Sequence, residues 1–417
     1  MNFSRALPDR TSCPFGLLSL LGDAPCAGAQ TECRELTDFP GWTFRFHERT
    51  PRHWPEDGSV FSRPAYLDYV LAEPQGCEGG LVVLEHDELE APIGLVVQYL
   101  SFDAGGQIRV EEGTKSGPAL RLRAWVAALL RYRVLTLGHY VVSGPVSATL
   151  SPAALEAALP AGILPALAEE MARGLGGFAA TIIKDFQPAA TPRAAAWRAA
   201  GYHQLPVDPV MEITRDPAWQ KLDDYVAALS SKYRVRYRRT RKKLGRVVCL
   251  PLDEQAARRH GGQFYELYNQ LSGSAGFNAV ELQADYFLRL YDVLGEDYRL
   301  YGYFLEDRLV GFRTEIADGE DLRAHYLGFD QQVNHSHQLY HNMLFDLLES
   351  TICGGFARLD LARTALEIKS SVGAVPVDYF CGLRMRNRLL NRLVPFFAGY
   401  LSPPTAWIQR SPFREEG

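Results

Sequence analysis

Two parts of this chain repeat the same order of structural signals, and this duplication limits what the chain can fold into. Residues 79–102 and 298–319 each contain an apolar strand, a polar turn and a second strand entered through a glycine. Residues 151–186 and 336–363 each contain a helix, a glycine stop and a buried strand that begins Gly-Phe-Ala. This order predicts two diverged copies of one α/β unit.

The predicted fold class is α/β (α+β), with two units in tandem, each a mixed central sheet flanked by helices. A chain of 417 residues is too long for one small core and favours two domains. From the N-terminus we expect an irregular extension, a first unit, a basic amphipathic linker helix, a second unit and a tail. Their predicted bounds are 1–40, 41–215, 216–250, 251–400 and 401–417.

Composition and charge exclude several classes of protein. The chain is 47% hydrophobic and 22% charged with a net charge of −5, which is typical of a soluble globular protein and not of a nucleic-acid coat protein. No apolar run approaches the roughly 20 residues that span a bilayer. We therefore expect a cytoplasmic protein, with peripheral contact to the inner membrane face left open. Seven scattered cysteines without a C-x-x-C pair predict reduced thiols and no zinc ribbon.

Residues 230–246 carry nine Lys or Arg residues and no acidic residue. Apolar and aromatic side chains recur through and before this stretch at helical spacing, which predicts one amphipathic helix. Unpaired cations repel one another, so the pattern favours a polyanionic partner, although a solvated helix face is the alternative. The apolar face comprises Val226, Leu229, Tyr233, Tyr237 and Leu244, and the predicted polyanion-binding residues are Arg234, Arg238, Arg241 and Lys242.

Several stretches resemble one family. They are SVFSRPAYLDYVL at 59–71, VMEIT at 210–214 followed by the basic helix, AHYLGFD at 324–330 and LDLARTALEIKSSVGAVP at 359–376. They look like the Fem-type (peptidoglycan-biosynthesis and recognition-like) branch of the GNAT N-acyltransferase superfamily, in which the similar proteins carry tandem GNAT domains. The resemblance implies transfer of an acyl group from a thioester to an amine.

The resemblance also implies where the donor binds. In such enzymes two central strands diverge, backbone N–H groups hold the thioester carbonyl, and donor phosphates lie at the N-terminus of the next helix. Here the diverging strand would be 322–329 and the phosphate loop 330–338, so we expect the donor site in the second unit. The loop lacks the usual glycines, which leaves acyl-CoA, acyl carrier protein and aminoacyl-tRNA open as donors. We expect the donor as a co-substrate and no permanently bound cofactor.

Candidate catalytic residues follow from the same comparison. Glu315 and His325 lie on adjacent predicted strands near the divergence, and either is a candidate for the base that deprotonates the amine. Strand alternation leaves open whether either side chain faces the site. Tyr326 and Tyr379 are candidates to protonate the leaving thiolate, with a core tyrosine as the alternative.

Candidate donor-binding residues cluster in the phosphate loop and after the last strand. His337 and His341 share a helix face, but no carboxylate has the offset of a zinc site, so we predict no metal. By resemblance, Lys369 lies near the active cleft and binds a phosphate, with a surface lysine as the alternative, and Arg363 shares these alternatives. Lys184-Asp185 either lines the acceptor side or forms a structural ion pair. The donor-binding set is Asn334, His335, Ser336, His337 and Lys369.

Two segments bear on the acceptor. Residues 119–137 and 388–401 mix arginine with leucine and aromatic residues, which is typical either of helices in a membrane interface or of amphipathic helices packed on a fold. We therefore predict an N-acyltransferase that uses acyl-CoA or acyl carrier protein and acts on an amine of a lipid, as a ceramide-synthase-like enzyme, or of a cell-wall precursor. The alternatives are an aminoacyl-tRNA-dependent Fem-type transferase and a non-catalytic membrane or polyanion binder on a GNAT fold.

Overall fold

Two β-sheets organise the chain. The computed structural model describes residues 32–55, 59–72, 77–103, 131–186, 191–272, 282–401 and 407–414. The first sheet is formed by β1 (Arg34–Glu35), β2 (Thr43–His47), β3 (Glu78–Glu85), β4 (Ile93–Asp103), β5 (Arg131–Leu137), β6 (Ala180–Phe186), β7 (His203–Pro206) and β15 (Phe380–Met385). The second sheet is formed by β8 (Val210–Thr214), β9 (Val248–Leu252), β10 (Tyr298–Leu305), β11 (Arg308–Asp318), β12 (Asp321–Phe329), β13 (Arg358–Asp360) and β14 (Val375–Val377).

Apart from β1, which has no counterpart in the second sheet, the two sheets have the same strand plan. The first has the order β1-β2-β3-β4-β5-β6-β15-β7 and the second the order β9-β10-β11-β12-β13-β8-β14 when it is followed from β9. In each sheet a single parallel pair, β5–β6 or β12–β13, lies among antiparallel pairs. The predicted duplication and the predicted α/β class are therefore confirmed.

The two units exchange one strand each. β8 lies at the end of the predicted first unit but pairs between β13 and β14 in the second sheet. β15 lies in the predicted second unit but pairs between β6 and β7 in the first sheet. A boundary near residue 215 consequently does not separate two self-contained sheets, because each sheet is completed by a strand from the other half of the chain.

Helices cover both sheets. The glycines that precede β6 and β13 occupy the same left-handed conformation, Gly177 at φ 76° and Gly355 at φ 74°, which residues with a Cβ rarely adopt. The helices are α1 (Pro64–Ala72), α2 (Pro152–Ala158), α3 (Ile163–Leu175), α4 (Thr191–Ala199), α5 (Leu222–Ala228), α6 (Ser231–Leu244), α7 (Glu254–Ser272), α8 (Tyr286–Leu294), α9 (Gln331–His337), α10 (Leu339–Cys353), α11 (Leu366–Ser370) and α12 (Arg388–Leu401). Within the described ranges, no helix is both long and apolar enough to cross a membrane.

One hydrophobic core joins the two units. Phe61 and Tyr66 of the first unit pack in the same buried cluster as Phe264 and Tyr286 of the second. Separate clusters lie between the first sheet and α3, and between the second sheet and α10. The shared core places the end of α1 and the segment after β5 against the second sheet.

The basic stretch differs from the single linker helix predicted for 216–250. α5 ends at Ala228, and Leu229 forms an isolated bridge with Phe413, so the chain breaks before α6 begins at Ser231. The expected apolar face is therefore divided between two helices. α6 packs on α9 and α10 and belongs to the second unit.

Three further segments differ from their predictions. β1 lies inside the stretch expected to be an irregular extension. Residues 131–137 form strand β5 and not part of an amphipathic helix, whereas 104–130 lie outside the described residues. The C-terminal residues 407–414 pack on the second unit, where Arg410 forms an ion pair with Glu367. The apolar run at 15–22 also lies outside the described residues.

Candidate active site

A cleft opens where the two parallel strands of the second sheet separate. β12 pairs with β13 only from Asp321 to Arg323. β13 ends at Asp360, while β12 continues to Phe329 without a strand beside this edge in the described part of the chain. The cleft has a volume of about 570 Å³ and lies between the units, since Phe61 and the segment 141–143 of the first unit form one wall.

A β-bulge shapes the inner wall of the cleft. The pairing of β11 with β12 shifts register between Arg313 and Glu315. The Thr314 hydroxyl spans the shift, because it donates to the Tyr326 carbonyl and accepts the Tyr326 N–H, both at 2.8 Å. The bulge brings His325 and Tyr326 into contact with one aromatic cluster that includes Tyr286.

His325 lines the cleft as a neutral imidazole. Its Nε2 atom lies 2.7 Å from the Tyr286 hydroxyl. Burial lowers the pKa of His325 to about 3, so the ring carries no charge near neutral pH. His325 therefore lies where the sequence predicted a base, but its basicity is low.

A buried ion pair lines the cleft. The Arg323 guanidinium donates to Asp360 at 2.7 Å and to Asp318 at 2.8 Å. Burial raises the pKa of Asp360, and Arg323 opposes that shift. Neither residue was selected from the sequence, although a charged residue at the end of a buried strand, beside a strand divergence, is a signal that could have found Asp360.

The loop after β13 has an unusual backbone. Ala362, Thr364 and Ala365 all lie in the left-handed region, at φ 56°, 68° and 48°. Residues other than glycine are strained there, and such strain persists only where the surroundings impose it. Asp360 is one restraint, because its carboxylate accepts the Ala362 N–H at 2.7 Å.

Lys369 is the second side chain that restrains the loop after β13. It is not a surface lysine. It is 4% exposed and lines the cleft. Its Nζ atom donates to the carbonyl oxygens of Arg363 at 2.5 Å and Ala362 at 3.4 Å. Burial lowers the pKa of Lys369 to about 7, and the nearby Asp360 carboxylate acts in the opposite direction.

A buried salt bridge joins the units at the edge of the cleft. Asp185 of β6 pairs with Arg363 and, at 2.5 Å, with Lys184. Lys184 also donates to the Val142 carbonyl at 3.1 Å, and Gly144 N–H donates to Asp185 at 3.0 Å. Arg363, Lys184 and Asp185 thus form an ion-pair network that fixes the segment 141–144 against the second unit.

Glu315 does not face the cleft. Its side chain is 0% exposed and forms an ion pair with Arg313 inside the second unit. The bulge after Thr314 turns Arg313, but not Glu315, toward the cleft lining. The Glu315 carboxylate therefore has no access to an amine in the cleft, and of the two candidate bases it is His325 that lines the cleft.

Burial keeps the hydroxyl groups of Tyr326 and Tyr379 protonated near neutral pH. The Tyr326 hydroxyl donates to the Val141 carbonyl at 3.0 Å, and burial raises its pKa. Burial also raises the pKa of Tyr379 to about 12, with Glu212 and Asp360 acting in the same direction. Tyr326 thus connects the two units through a hydrogen bond in which its hydroxyl is the donor.

The expected phosphate loop is a helix. Residues 331–337 form α9, capped by Asp330, whose carboxylate accepts the N–H groups of Gln332 and Val333. The side chain of Asn334 accepts the Tyr340 N–H at 2.9 Å, so it caps α10 itself. Ser336 bonds to His337 and His335 is exposed, which leaves these three side chains in local contacts or in solvent.

Arg241 has an ion-pair role inside the second unit. It pairs with Asp346 at 2.5 Å and with Glu349 at 3.8 Å, and it lies over the ring of Phe345. Of the four predicted polyanion-binding residues, Arg238 and Lys242 are exposed, while Arg234 donates to Ser231 at 3.3 Å.

A different set of cations on α6 lines an open cavity of about 600 Å³. Lys232, Arg236 and Arg239 face Gln338, the residue between α9 and α10. Among the described residues no carboxylate lies within ion-pair distance of these three cations. The Gln338 Oε1 atom is buried without a hydrogen-bond partner. The i, i+4, i+7 spacing of the cations was visible in the sequence, but only the packing of α10 shows which face remains open.

The cavity at the equivalent position of the first unit is much smaller than the cleft. A largely apolar cavity of about 90 Å³ lies beside β5 and β6. The segment after β5 folds back over β4, where Val96 N–H donates to Ser147 and Thr149 N–H donates to Gly94. This segment closes in the first unit the space that is open in the second.

Residues 231–370 match the family model described as Acetyltransferase (GNAT) domain. Among solved structures, the chain is similar to FemX, with 12% identity, a TM-score of 0.45 and coverage of 76% of this chain and 90% of that chain. It is also similar to a tandem GNAT protein from the clavulanic acid biosynthesis pathway, with 13% identity, a TM-score of 0.43 and coverage of 82% and 91%. Likenesses at this level carry no information about donor or acceptor. Comparison with curated proteins found no match.

The family match spans the second-unit elements of the cleft, from α6 to α11. The first sheet repeats the strand plan of the second from β2 onward. The predicted relation to the GNAT superfamily is confirmed. Residues 231–370 are thus similar to the acetyltransferase (GNAT) domain family, and the first unit repeats the strand plan of this domain.

Proposed function

We propose that this protein is an N-acyltransferase that binds an acyl thioester in the cleft between β12 and β13 and transfers the acyl group to an amine. One observation carries the proposal. A cleft of about 570 Å³ opens along the unpaired edge of β12 and contains a buried lysine with a pKa of about 7. Backbone N–H groups on such an edge are suited to hold a carbonyl oxygen as negative charge develops on it.

The reaction needs one proton acceptor and one leaving group. The amine nitrogen attacks the thioester carbonyl carbon, a C–N bond forms, and the C–S bond breaks with departure of the thiolate. The amine loses a proton to the base, and the thiolate takes up a proton. No redox partner is needed, and the products are an amide and a free thiol.

Lys369 is the base that this proposal favours. A neutral amine has two N–H donors, which suffice for the carbonyls of Arg363 and Ala362, and it keeps a lone pair. A base works best when its pKa is near the working pH, which suits Lys369 at about 7 better than His325 at about 3. His325 is then a neutral side chain that lines the cleft beside Tyr286.

The cavity on α6 is the proposed site for the donor's phosphates. Lys232, Arg236 and Arg239 have no carboxylate partner in the described part of the chain, and the cavity borders the start of α10. Phosphate groups placed there would be stabilised by three cations and by the helix terminus. Coenzyme A carries phosphates of this kind, so acyl-CoA is the proposed donor, with acyl carrier protein as a second thioester source.

The acceptor is proposed to enter along the first unit. The wall formed by Phe61 and residues 141–143 gives the cleft a largely apolar side, which adjoins the charged pair because the Arg323 guanidinium lies over the Phe61 ring at 5.7 Å. An apolar wall beside a reactive site suits an amine that carries a hydrocarbon chain. A long-chain amine is therefore the first acceptor to test, and a cell-wall amine the second.

The first experiment is thermal melting with coenzyme A, a long-chain acyl-CoA and bulk tRNA, each at two salt concentrations. A ligand at 100 times its Kd adds about 2.7 kcal/mol of stability. Stabilisation by the acyl-CoA beyond that by coenzyme A is the expected result. Stabilisation by tRNA alone, lost at high salt, would replace the proposal with an aminoacyl-tRNA donor.

Activity on an amine screen then tests the base. Lys369→Met should lower kcat at least about a hundredfold, while Lys369→Arg, which cannot deprotonate, should fail to restore it. His325→Asn is the matched variant on the facing strand and should retain most activity. If Lys369→Met keeps the wild-type pH profile while His325→Asn loses activity, His325 is the base.

A further inference from the structure

Helix α12 presents an uncovered apolar face. Leu389, Leu393 and Phe396 are 70%, 44% and 81% exposed. Their i, i+4, i+7 spacing places them on one face of the helix. Large apolar side chains that are exposed together mark a surface that meets an apolar partner.

The opposite face of α12 is fixed to the protein. Val394 is buried, and the Asn391 side chain donates to the Gly201 carbonyl and accepts the Met385 N–H, both at 2.8 Å. The helix contacts β15 and β7 of the first unit. Helix α12 therefore cannot turn its exposed leucines toward the protein without breaking these hydrogen bonds. The leucines are consequently exposed to solvent in the folded protein.

Arginines border the apolar face. Arg388 and Arg392 each precede one of the exposed leucines, are exposed themselves and have no carboxylate within ion-pair distance among the residues with described positions. A helix with an apolar face beside unpaired arginines is suited to lie in a membrane interface, with its leucines below the headgroups and its cations on the phosphates. The 14-residue helix is too short to span a bilayer and can only lie flat.

We propose that α12 docks this protein on an anionic membrane surface through Leu389, Leu393 and Phe396, with Arg388 and Arg392 on the lipid phosphates. A second copy of the chain suits this face less well. A two-fold contact of α12 with itself would bring like-charged arginine rows together. The proposal does not depend on the chemistry in the cleft.

The test uses the full chain and sedimentation with vesicles of phosphatidylglycerol and phosphatidylcholine, or of phosphatidylcholine alone. We expect binding to the anionic vesicles and little binding to the neutral ones. Leu389→Asp/Phe396→Asp should lower partitioning about tenfold or more. Arg388→Ala/Arg392→Ala should lower it on the order of 25-fold, since each cation near an anionic surface contributes a factor of about five.

Two control variants match these changes. Ile408→Asp adds a charge at a residue that is 59% exposed but lies outside α12, and it should bind as wild type does. Arg49→Ala/Arg52→Ala removes the same charge from exposed sites of the first unit and should also bind normally. Equal losses in the controls and in the α12 variants would overturn the proposal.

Sedimentation velocity without lipid tests whether a second copy of the chain covers the apolar face of α12. A wild-type dimer that Leu389→Asp/Phe396→Asp converts to a monomer would show that a second copy covers the face, and would overturn the proposal. Because vesicle binding needs no acyl donor, and donor-induced melting shifts need no vesicles, failure of this proposal and failure of the proposed activity are observed separately.

Discussion

Arg363 of the second unit forms an ion pair with Asp185 of the first, and this buried pair joins the units at the edge of the cleft. Burial alone would raise the pKa of Asp185, but Lys184 and Arg363 lower it below its usual value. The carboxylate is therefore ionised in the folded protein at neutral pH. The pair places the first-unit wall of the cleft at a fixed position relative to Lys369.

Removing one partner of this pair should be costly. Asp185→Asn leaves Arg363 and Lys184 without their carboxylate, and we expect a loss of about 3–5 kcal/mol in the free energy of unfolding. Urea unfolding at pH 7 measures it. Arg246→Ala is the control, because its pair with Glu306 is exposed and should contribute at most about 1 kcal/mol. Equal losses in the two variants would contradict the structural role of Asp185.

Lys369 should make stability depend on pH. Its folded pKa is about 7, below the usual value of 10.5, so from pH 7 to 10.5 the unfolded chain binds a proton that the folded chain does not. Stability from this group therefore rises with pH in that window, by up to about 1.4 kcal/mol per pH unit. Below pH 7 the lysine is protonated in both the folded and the unfolded chain, so it no longer makes the free energy of unfolding depend on pH.

The variant Lys369→Met tests this slope by urea unfolding at pH 7, 8 and 9. Wild type should gain stability relative to the variant as the pH rises. Lys243→Met, at an exposed position of α6, should follow the wild-type curve. A constant difference between wild type and Lys369→Met across the three pH values would show that Lys369 keeps an ordinary pKa.

Substitutions of the α6 cations should affect coenzyme A binding differently on the different faces of the helix. Lys232→Ala, Arg236→Ala and Arg239→Ala should each weaken binding of coenzyme A about tenfold, because each removes a charge-assisted hydrogen bond to phosphate. Calorimetry at two salt concentrations measures the affinities. Arg238→Ala and Lys242→Ala, on the other faces, should change affinity less than twofold. Equal effects from both groups would mean that α6 acts only through its total charge.

Arg241→Ala should behave differently from every other substitution on α6. Its ion pairs with Asp346 and Glu349 are partly buried, so the variant should lose about 2 kcal/mol or more of stability. Differential scanning calorimetry measures the change, and Arg238→Ala serves as the exposed control. A stable Arg241→Ala that loses donor affinity would restore Arg241 to the polyanion-binding set.

Tyr326→Phe distinguishes a structural hydroxyl from a catalytic one. The hydroxyl donates to the Val141 carbonyl, so its loss should cost about 1 kcal/mol of stability and leave kcat within about threefold. Steady-state kinetics and a melting curve on the same sample measure both quantities. A fall in kcat of a hundredfold or more, with normal stability, would identify Tyr326 as the acid for the leaving thiolate.

Much of the site could be anticipated from the sequence. The hairpins at 79–102 and 298–319 were found because alternating apolar residues and a polar turn are local signals. Lys369 was expected near the cleft through the resemblance of its surrounding motif, and the structure finds it in the lining. The divergence of the strands was expected at 322–329, where β12 continues past the end of β13.

Other candidate residues lie elsewhere than a regular strand or an open loop would place them, because a bulge and two side-chain caps change the local backbone. Strand alternation left open whether Glu315 faces the site, and the bulge at Thr314, which changes that alternation, decides it. Residues 330–338 were expected to form a phosphate loop before the helix at Leu339, but Asp330 and Asn334 cap two successive helices. A one-residue bulge and a side-chain cap leave no periodic signal in a sequence.

The sequence by itself determined the duplicated α/β plan, the GNAT relation and the cationic character of α6, because strand alternation, glycine stops and local charge are encoded by neighbouring residues. Only the tertiary structure decided which strand completes each sheet, which cations of α6 remain unpaired and which lysine is buried. Those outcomes depend on contacts between residues far apart in the chain, such as β15 beside β6 and Arg241 beside Asp346. Burial and pairing then set the charge of each group, and they exist only after the two units have packed together.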